Sequence, residues 1–165
     1  MRSASRRTTG PSIASRRADA ALSKRLSGYG QGLRWCFAVL LLTGALGKLA
    51  DMHGFTDVVA SYRVLPGVWV AVAAWALALC EAGFALWLMS GRQLRSAALG
   101  VTLLHCVYLG WIALALARGL QLTNCGCFGV YWPRPLTPLT LVEDGALLIA
   151  AWALFLAAER TRQSA

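Results

Sequence analysis

The sequence predicts an all-α membrane protein, a four-transmembrane-helix bundle with both termini in the cytoplasm. The first observation is composition: 58% of the 165 residues are hydrophobic, yet the formal net charge is +9. Apolar segments must therefore be separated from basic ones, as in small membrane proteins. The second observation is that the apolar residues form four long runs, each near the roughly 20 residues that span a hydrocarbon layer of about 30 Å.

The chain divides into a basic tail, a membrane domain and a short second tail. Residues 1–30 are rich in Arg, Ser, Thr, Gly and Ala and offer little to bury, which predicts a disordered cytoplasmic tail. The membrane domain covers residues 31–158, and residues 159–165 form a cytoplasmic tail. At a rise of about 1.5 Å per residue, four segments reach the spanning length. The predicted spans are residues 31–49, 68–89, 94–117 and 139–158.

The distribution of Lys and Arg predicts the orientation of the bundle. Twelve of these residues lie on the side of the two termini, namely Arg2, Arg6, Arg7, Arg16, Arg17, Lys24, Arg25, Arg34, Arg92, Arg95, Arg160 and Arg162. Four lie on the other side, Lys48, Arg63, Arg118 and Arg134. The positive-inside rule then places the first and third loops outside the cytoplasm, which in a bacterium is the periplasmic side of the inner membrane. Because half of the basic residues crowd into the first 34 positions, we expect no nucleic-acid partner.

The third loop contains the sequence N-C-G-C-F-G-V at residues 124–130, with two cysteines one glycine apart. Gly126 lacks the side chain that would hinder the bend needed to bring the sulfurs of Cys125 and Cys127 together. A disulfide across one residue closes a small, strained ring that is easy to reduce, which suits a redox relay better than a staple. The periplasm is an oxidising compartment. We therefore predict that Cys125 and Cys127 are catalytic thiols.

Two other interpretations of the pair stay open at this stage. Two thiolates make half of a zinc site, but the outer loops offer only His53 as a further soft ligand. Transient Cu(I) binding and a purely structural pair also remain. No metal ligand is assigned. The other cysteines, Cys36, Cys80 and Cys106, lie inside predicted spans and are expected to be buried and inert.

Two ionisable residues, Glu81 and His105, fall near the middle of the second and third spans. Such residues are costly in a membrane, so a function is suspected by default. Counting from opposite membrane faces places them at similar depth, where a direct hydrogen bond is feasible. A polar clasp between helices and a proton-handling or ligand-binding role are both open. The small residues Gly44 and Gly47 of the first span permit close helix approach.

Four charged residues are expected to form a cluster at the outer surface. Glu143 and Asp144 enter the outer part of the fourth span, and Lys48 and Asp51 lie at the outer end of the first. We expect Lys48 to pair with Glu143 or Asp144, or to lower the pKa of a nearby thiol. The cluster is a candidate for binding or proton handling.

The first outer loop contains a short amphipathic segment. Residues 55–66, F-T-D-V-V-A-S-Y-R-V-L-P, have apolar residues at roughly helical spacing followed by proline. We predict a helix lying along the membrane interface, anchored there by Tyr62 and Arg63. The segment contains no catalytic motif.

These features together resemble the MauE family, which is related to the DoxX-like four-helix membrane proteins. The resemblance covers about residues 33–158. It rests on Gly44 with Lys48-Leu49, on Phe55, Tyr62-Arg63 and Leu65-Pro66, on Glu81, and above all on Cys125-Gly126-Cys127-Phe128-Gly129 after the third span.

The resemblance implies a part in methylamine utilisation, in the processing, export or maturation of the methylamine dehydrogenase small (beta) subunit. That subunit is rich in disulfides and is matured in the periplasm. The resemblance therefore implies thiol–disulfide chemistry by Cys125 and Cys127, with a thioredoxin-like partner such as MauD.

Three functions follow as hypotheses. The leading one is a membrane protein that exchanges disulfides with a periplasmic client or a thioredoxin-like protein, one cysteine attacking and the other resolving. If it recharges itself, a quinone is the expected electron acceptor, although no second outer cysteine pair accompanies the first. The second is a non-enzymatic assembly, transport or copper-handling factor that uses Glu81 and His105. The third is a structural subunit of a larger membrane complex.

Overall fold

A computed structural model describes the backbone of residues 13–163 and the side chains of residues 28–160. Helices account for the regular structure of this range, and it contains no strand. The all-α prediction is therefore confirmed. The elements are α1 (Ile13–Ala50), α2 (Met52–Ser61), α3 (Gly67–Ser90), α4 (Leu94–Ala117) and α5 (Pro138–Gln163).

Four of these helices are long and apolar enough to cross a membrane. The candidate spans are Gly28–Ala50, Gly67–Ser90, Leu94–Ala117 and Pro138–Arg160. They match the four predicted spans to within three residues at every boundary. The protein is a multi-pass membrane protein: four apolar helices have the length that crosses a bilayer, and about two thirds of each span stays unburied within the bundle, as expected for surfaces that face lipid.

The first helix is longer than its spanning portion. It begins at Ile13, inside the segment that was expected to be disordered. Residues 17–26, R-A-D-A-A-L-S-K-R-L, are mostly good helix formers, so the backbone continues as helix ahead of the membrane. Residues 1–12 of the predicted tail lie outside the described part of the chain.

The four spanning helices pack as two pairs. Helix α3 packs chiefly on α1, and α4 chiefly on α5, while α3 and α4 contact each other much less. Alanines at the centre of the bundle are completely buried and allow the backbones to approach closely. They include Ala38, Ala85, Ala97, Ala98 and Ala151.

Polar contacts show which helix ends lie together. The Arg34 side chain donates hydrogen bonds to the carbonyl oxygens of Leu88 (2.7 Å) and Met89 (2.9 Å) at the end of α3. Arg95, at the start of α4, pairs with Glu159 near the end of α5 at 3.2 Å. We call this side of the molecule the basic end. The opposite side, the site end, carries Lys48, α2 and the loop of residues 118–137. That the basic end faces the cytoplasm stays a prediction of the positive-inside rule.

Helix α2 covers the site end and is bounded by local sequence signals. Asp51 caps it by accepting a hydrogen bond from the Gly54 amide at 2.8 Å, and the helix ends at Ser61. Phe55 and Val59 are buried against α3. A helix is therefore present in the first outer loop, but it covers Met52–Ser61, and the second half of the predicted segment, residues 62–66, lies beyond it. The Asp51 carboxylate caps this helix and is not paired with Lys48.

Candidate functional site

The two cysteines lie on a tight turn that needs its glycines. Gly126 and Gly129 have φ of +79° and +76°, in the left-handed region that favours glycine. Asn124 brackets the turn: its Oδ1 accepts from the Gly126 amide at 2.9 Å, and its Nδ2 donates to the Gly129 carbonyl at 3.0 Å. The Cys125 amide donates to the Arg134 carbonyl at 2.7 Å, which closes the loop. Hydrogen bonds within the loop thus hold the turn independently of its contacts with the helices.

The turn is seated on two glycines of α1. A Cβ on Gly47 would collide with the Phe128 carbonyl, and one on Gly44 would lie 3.1 Å from the Cys127 oxygen and 3.2 Å from a Glu81 carboxylate oxygen. The sequence predicts that both glycines permit close helix approach. In the structure they make room for the cysteine loop and for the polar groups beneath it.

Beneath the turn lies a buried ion pair. Lys48 Nζ is 2.6 Å from Glu81 Oε2, and the two residues are only 1% and 3% exposed. The same ammonium donates to the Cys127 carbonyl at 2.6 Å, and Tyr108 donates to Glu81 Oε1 at 2.6 Å. Buried charges are tolerable when paired and hydrogen-bonded in this way. The cluster joins α1, α3 and α4 to the cysteine loop.

The predicted pairing of Lys48 with Glu143 or Asp144 is wrong. Glu143 binds Arg134, with Nη2 to Oε2 at 2.7 Å, and so supports the loop from α5. Lys48 points instead into the bundle, where the Glu81 carboxylate replaces the water that the ammonium loses.

The predicted Glu81–His105 hydrogen bond is also absent. His105 Nδ1 lies 2.9 Å from the Val101 carbonyl, and its ring packs edge-on against Phe37 at 5.5 Å. Tyr108, almost one turn further along α4, reaches Glu81 in its place. His105 is therefore a buried residue of the helix core, apart from the cysteine site.

Tyr62 is a site residue that sequence reasoning missed. It was predicted to anchor α2 at the interface, but it is buried, and its hydroxyl donates to the Cys125 carbonyl at 2.8 Å. Its spacing was the available signal, because Phe55, Val59 and Tyr62 follow one helical face at i, i+4 and i+7. Arg118 donates to the carbonyls of Tyr62 (3.2 Å) and Arg63 (3.0 Å), which holds the chain just beyond α2.

Two hydrogen bonds clamp the backbone of the turn, from Tyr62 to the Cys125 carbonyl and from Lys48 to the Cys127 carbonyl. With the backbone held by these clamps, the two sulfurs face each other. The Sγ atoms of Cys125 and Cys127 are 3.0 Å apart, and both thiols are free. A disulfide bond of about 2.05 Å therefore needs a shift of only about 1 Å. Cys125 is buried, whereas Cys127 is partly exposed.

The two thiols differ in acidity. A hydrogen bond from the Cys127 thiol lowers the pKa of Cys125 to about 6 against the opposing effect of burial, and the Arg134 charge adds to the lowering. The pKa of Cys127 is raised, first by that hydrogen bond and then by burial and the neighbouring thiolate, which outweigh the Lys48 charge. Burial and the two thiols also raise the pKa of Tyr62, so its hydroxyl keeps the proton that it donates. The pKa is thus lowered at Cys125 and raised at Cys127.

The lowered pKa of Cys125 predicts how its alkylation rate depends on pH. Because only the thiolate reacts, alkylation of Cys125 by iodoacetamide should fall as pH drops through about 6 and should level off above it. Mass spectrometry of the reduced protein in detergent, quenched at short times, gives the rate for each cysteine. A midpoint near the ordinary thiol value of about 8.5 would contradict the assignment.

Asp144, on α5, lies close enough for its charge to act on both cysteines. It is 8% exposed, and its Oδ2 has no hydrogen-bond partner among the described residues. Its charge interacts unfavourably with Cys125 and Cys127. The site thus brings together Cys125, Cys127, Lys48 and Glu81 with Asp144, and leaves His105 outside.

The remaining cysteines and His53 do not contribute to the site. Cys36, Cys80 and Cys106 are exposed on the outer faces of their helices, so the expectation of burial was wrong. Lipid-facing and core-facing positions are equally apolar, and the sequence does not distinguish them. The His53 side chain is 93% exposed. Within the described part of the chain, no group of three or more His, Cys, Asp or Glu residues could hold a metal ion.

Fold and site define a class of protein: a four-helix membrane protein with a Cys-Gly-Cys turn clamped over a buried lysine–glutamate pair at one end of the bundle. The family model described as "Methylamine utilisation protein MauE" matches residues 26–157. The chain belongs to the MauE family.

Two curated relatives agree with this assignment. The "Methylamine utilization protein MauE" of Paracoccus denitrificans is 32% identical over 125 residues, which cover 76% of this chain and 66% of the relative. The protein of the same name from Methylophilus methylotrophus is 32% identical over 122 residues, or 73% of this chain and 63% of the relative. The chain thus spans about two thirds of the length of these relatives. No solved structure matches it.

Proposed function

We propose that this protein exchanges disulfides with a partner outside the cytoplasm, using Cys125 and Cys127, and thereby supports maturation of a secreted enzyme. The observation that carries the proposal is the pair itself: two free thiols 3.0 Å apart whose backbone carbonyls are both held by donors from the helices. A site that only packed its cysteines would need neither the clamps nor a thiolate.

Exposure and acidity divide the roles of the two cysteines. A partner thiolate attacks the sulfur of Cys127, the residue of the pair that is partly exposed, and the bond between Cys125 and Cys127 breaks with Cys125 leaving as thiolate. A thiol of low pKa is the better leaving group. The second partner thiol, as thiolate, then attacks the partner sulfur bound to Cys127, which releases Cys127 and forms the partner disulfide.

Family membership supports a pathway and a compartment. Both relatives are named for methylamine utilisation, so the client we propose is the methylamine dehydrogenase small subunit, with a thioredoxin-like protein as intermediary. The site lies at the end of the bundle opposite Arg34 and Arg95. This supports an inner-membrane protein with the cysteine loop in the periplasm, where disulfides persist.

A trapping experiment tests the proposal. Thiol–disulfide exchange is reversible, so the lone Cys127 thiol of Cys125→Ser can attack the disulfide of an oxidised partner. No Cys125 thiol is then present to release that partner, so partner proteins should accumulate as mixed disulfides on Cys127. Cells are quenched with acid and N-ethylmaleimide, and the complexes are resolved on non-reducing gels and identified by mass spectrometry. We expect at least tenfold more complex in Cys125→Ser than in Cys127→Ser.

Cys106→Ser, which removes a lipid-facing thiol, is the matched control and should resemble the wild type. Absence of reducible complexes from both loop variants would refute disulfide exchange. Equal trapping by the two variants would refute the division of roles.

A further inference from the structure

A cavity lies directly beside the two sulfurs. Its volume is about 60 Å³, several times the roughly 10–15 Å³ that holds one water. Its wall is mostly apolar and aromatic, and it is partly open to the surroundings. The residues that matter here are Lys48, Phe55, Leu77, Trp111 and Ile112, together with the cysteine turn. A cavity with such walls favours a flat, apolar ligand.

The cavity wall contains one hydrogen-bond donor that is not used, on the ammonium of Lys48. An ammonium has three N–H donors, and Lys48 uses two of them, on Glu81 and on the Cys127 carbonyl. Its third N–H has no hydrogen-bond acceptor among the described residues, and the Phe55 ring lies 5.5 Å from Nζ. The ligand should therefore present an acceptor, such as a carbonyl oxygen, and need not bring a charge because Glu81 already balances Lys48.

The position of the cavity indicates where a ligand would come from. Leu77 of α3 and Trp111 and Ile112 of α4 form its wall, and α3 and α4 contact each other only sparsely. We call this boundary the α3–α4 seam. Because the seam runs between two membrane-spanning helices, a ligand dissolved in the bilayer would have to pass along it to reach the sulfurs.

We propose that this cavity binds the ring edge of a membrane quinone, which accepts the two electrons of the reduced Cys125 and Cys127 pair. The inference rests on the proposed function, since disulfide exchange with a partner leaves the pair reduced. A quinone has a flat ring that fits the apolar wall and a carbonyl oxygen that can accept the third N–H of Lys48. It is also soluble in lipid, so it can approach along the seam. A substituted ring is larger than the cavity, so one carbonyl edge enters while the remaining ring and its tail stay in the seam.

The proposed step balances. The Cys125 thiolate and the Cys127 thiol lose two electrons and form one S–S bond, and the S–H bond of Cys127 breaks. The quinone takes up the two electrons with two protons, one from Cys127 and one from the solvent in place of the proton that Cys125 lost on ionising, and its two carbonyl oxygens become the hydroxyls of a quinol. Lys48 donates a hydrogen bond to the carbonyl that acquires negative charge as the electrons arrive.

The test uses the reduced full-length protein in lipid nanodiscs and decylubiquinone, whose fully substituted ring resists thiol addition. Loss of quinone absorbance and loss of free thiols are followed together. We expect one quinone reduced for each pair of thiols lost. Ile112→Phe, which fills the cavity, should slow this reaction at least tenfold. Leu114→Phe, on the exposed face of the same helix, should leave it within twofold of the wild type.

Oxidation by glutathione disulfide, which needs no cavity, separates the possible outcomes. If Ile112→Phe reacts normally with glutathione disulfide but slowly with quinone, the cavity is the quinone site. If the wild type reacts with glutathione disulfide but not with quinone, or if Ile112→Phe leaves the quinone rate unchanged, the quinone proposal is wrong and disulfide exchange stands. If neither oxidant joins Cys125 to Cys127, both proposals fail.

Discussion

Replacing Lys48 with methionine is expected to lower the free energy of unfolding by about 3–5 kcal/mol, the usual cost of leaving one partner of a buried ion pair uncompensated. Glu81 would keep its hydrogen bond from Tyr108 but lose the cation at 2.6 Å while its side chain stays buried. The Cys127 carbonyl would lose its donor as well. Unfolding by urea or heat in mixed micelles, followed by circular dichroism, measures the change.

The double variant Lys48→Met with Glu81→Gln is the informative comparison. A neutral amide still accepts the hydrogen bond from Tyr108, so we expect the double variant to regain most of the lost stability. Equal destabilisation in the single and double variants would show that the lysine acts through packing, and the role of the buried pair in supporting the loop would have to be abandoned.

Replacing both loop cysteines with serine should abolish the biological function while leaving the fold intact. Serine preserves the small size and the hydrogen bonds of the turn but forms no disulfide, so the exchange with a partner has no chemical route. In a methylamine-using bacterium that lacks its own family member, Cys125→Ser with Cys127→Ser should give no growth on methylamine and no mature dehydrogenase small subunit.

The three lipid-facing cysteines provide the matched control. The triple variant Cys36→Ser, Cys80→Ser and Cys106→Ser changes more thiols than the loop variant but none at the site. It should support growth like the wild type. Full complementation by the loop variant would mean that the protein acts without thiol chemistry, as an assembly or transport factor.

The spans could be predicted because the membrane imposes a simple requirement, about 20 apolar residues in a row. Their boundaries agree to within three residues for that reason. The cysteine pair was also predictable, since a Cys-Gly-Cys turn is local in sequence. What lay beyond prediction was the direction in which each side chain points around its helix.

Lys48 illustrates this limit. Its place at the outer end of the first span indicates Glu143 and Asp144 as partners, because Glu81 falls near the middle of the second span. The choice depends on how α1 packs against α3, which places Gly44 and Gly47 under the loop and turns Lys48 toward Glu81. Tyr62 was missed for the related reason that its hydroxyl finds a carbonyl far along the chain, at Cys125.

The most direct measurement is the redox state of each cysteine in native membranes. Membranes from aerobically grown cells are quenched with acid, alkylated with a heavy-isotope reagent, reduced, alkylated with the light form and digested for mass spectrometry. We expect Cys125 and Cys127 to carry the light label in a substantial fraction of molecules and the heavy label after prior treatment with dithiothreitol, with Cys36, Cys80 and Cys106 heavy in both samples. Heavy label throughout on Cys125 and Cys127, without any reducible fraction, would contradict a redox-active pair.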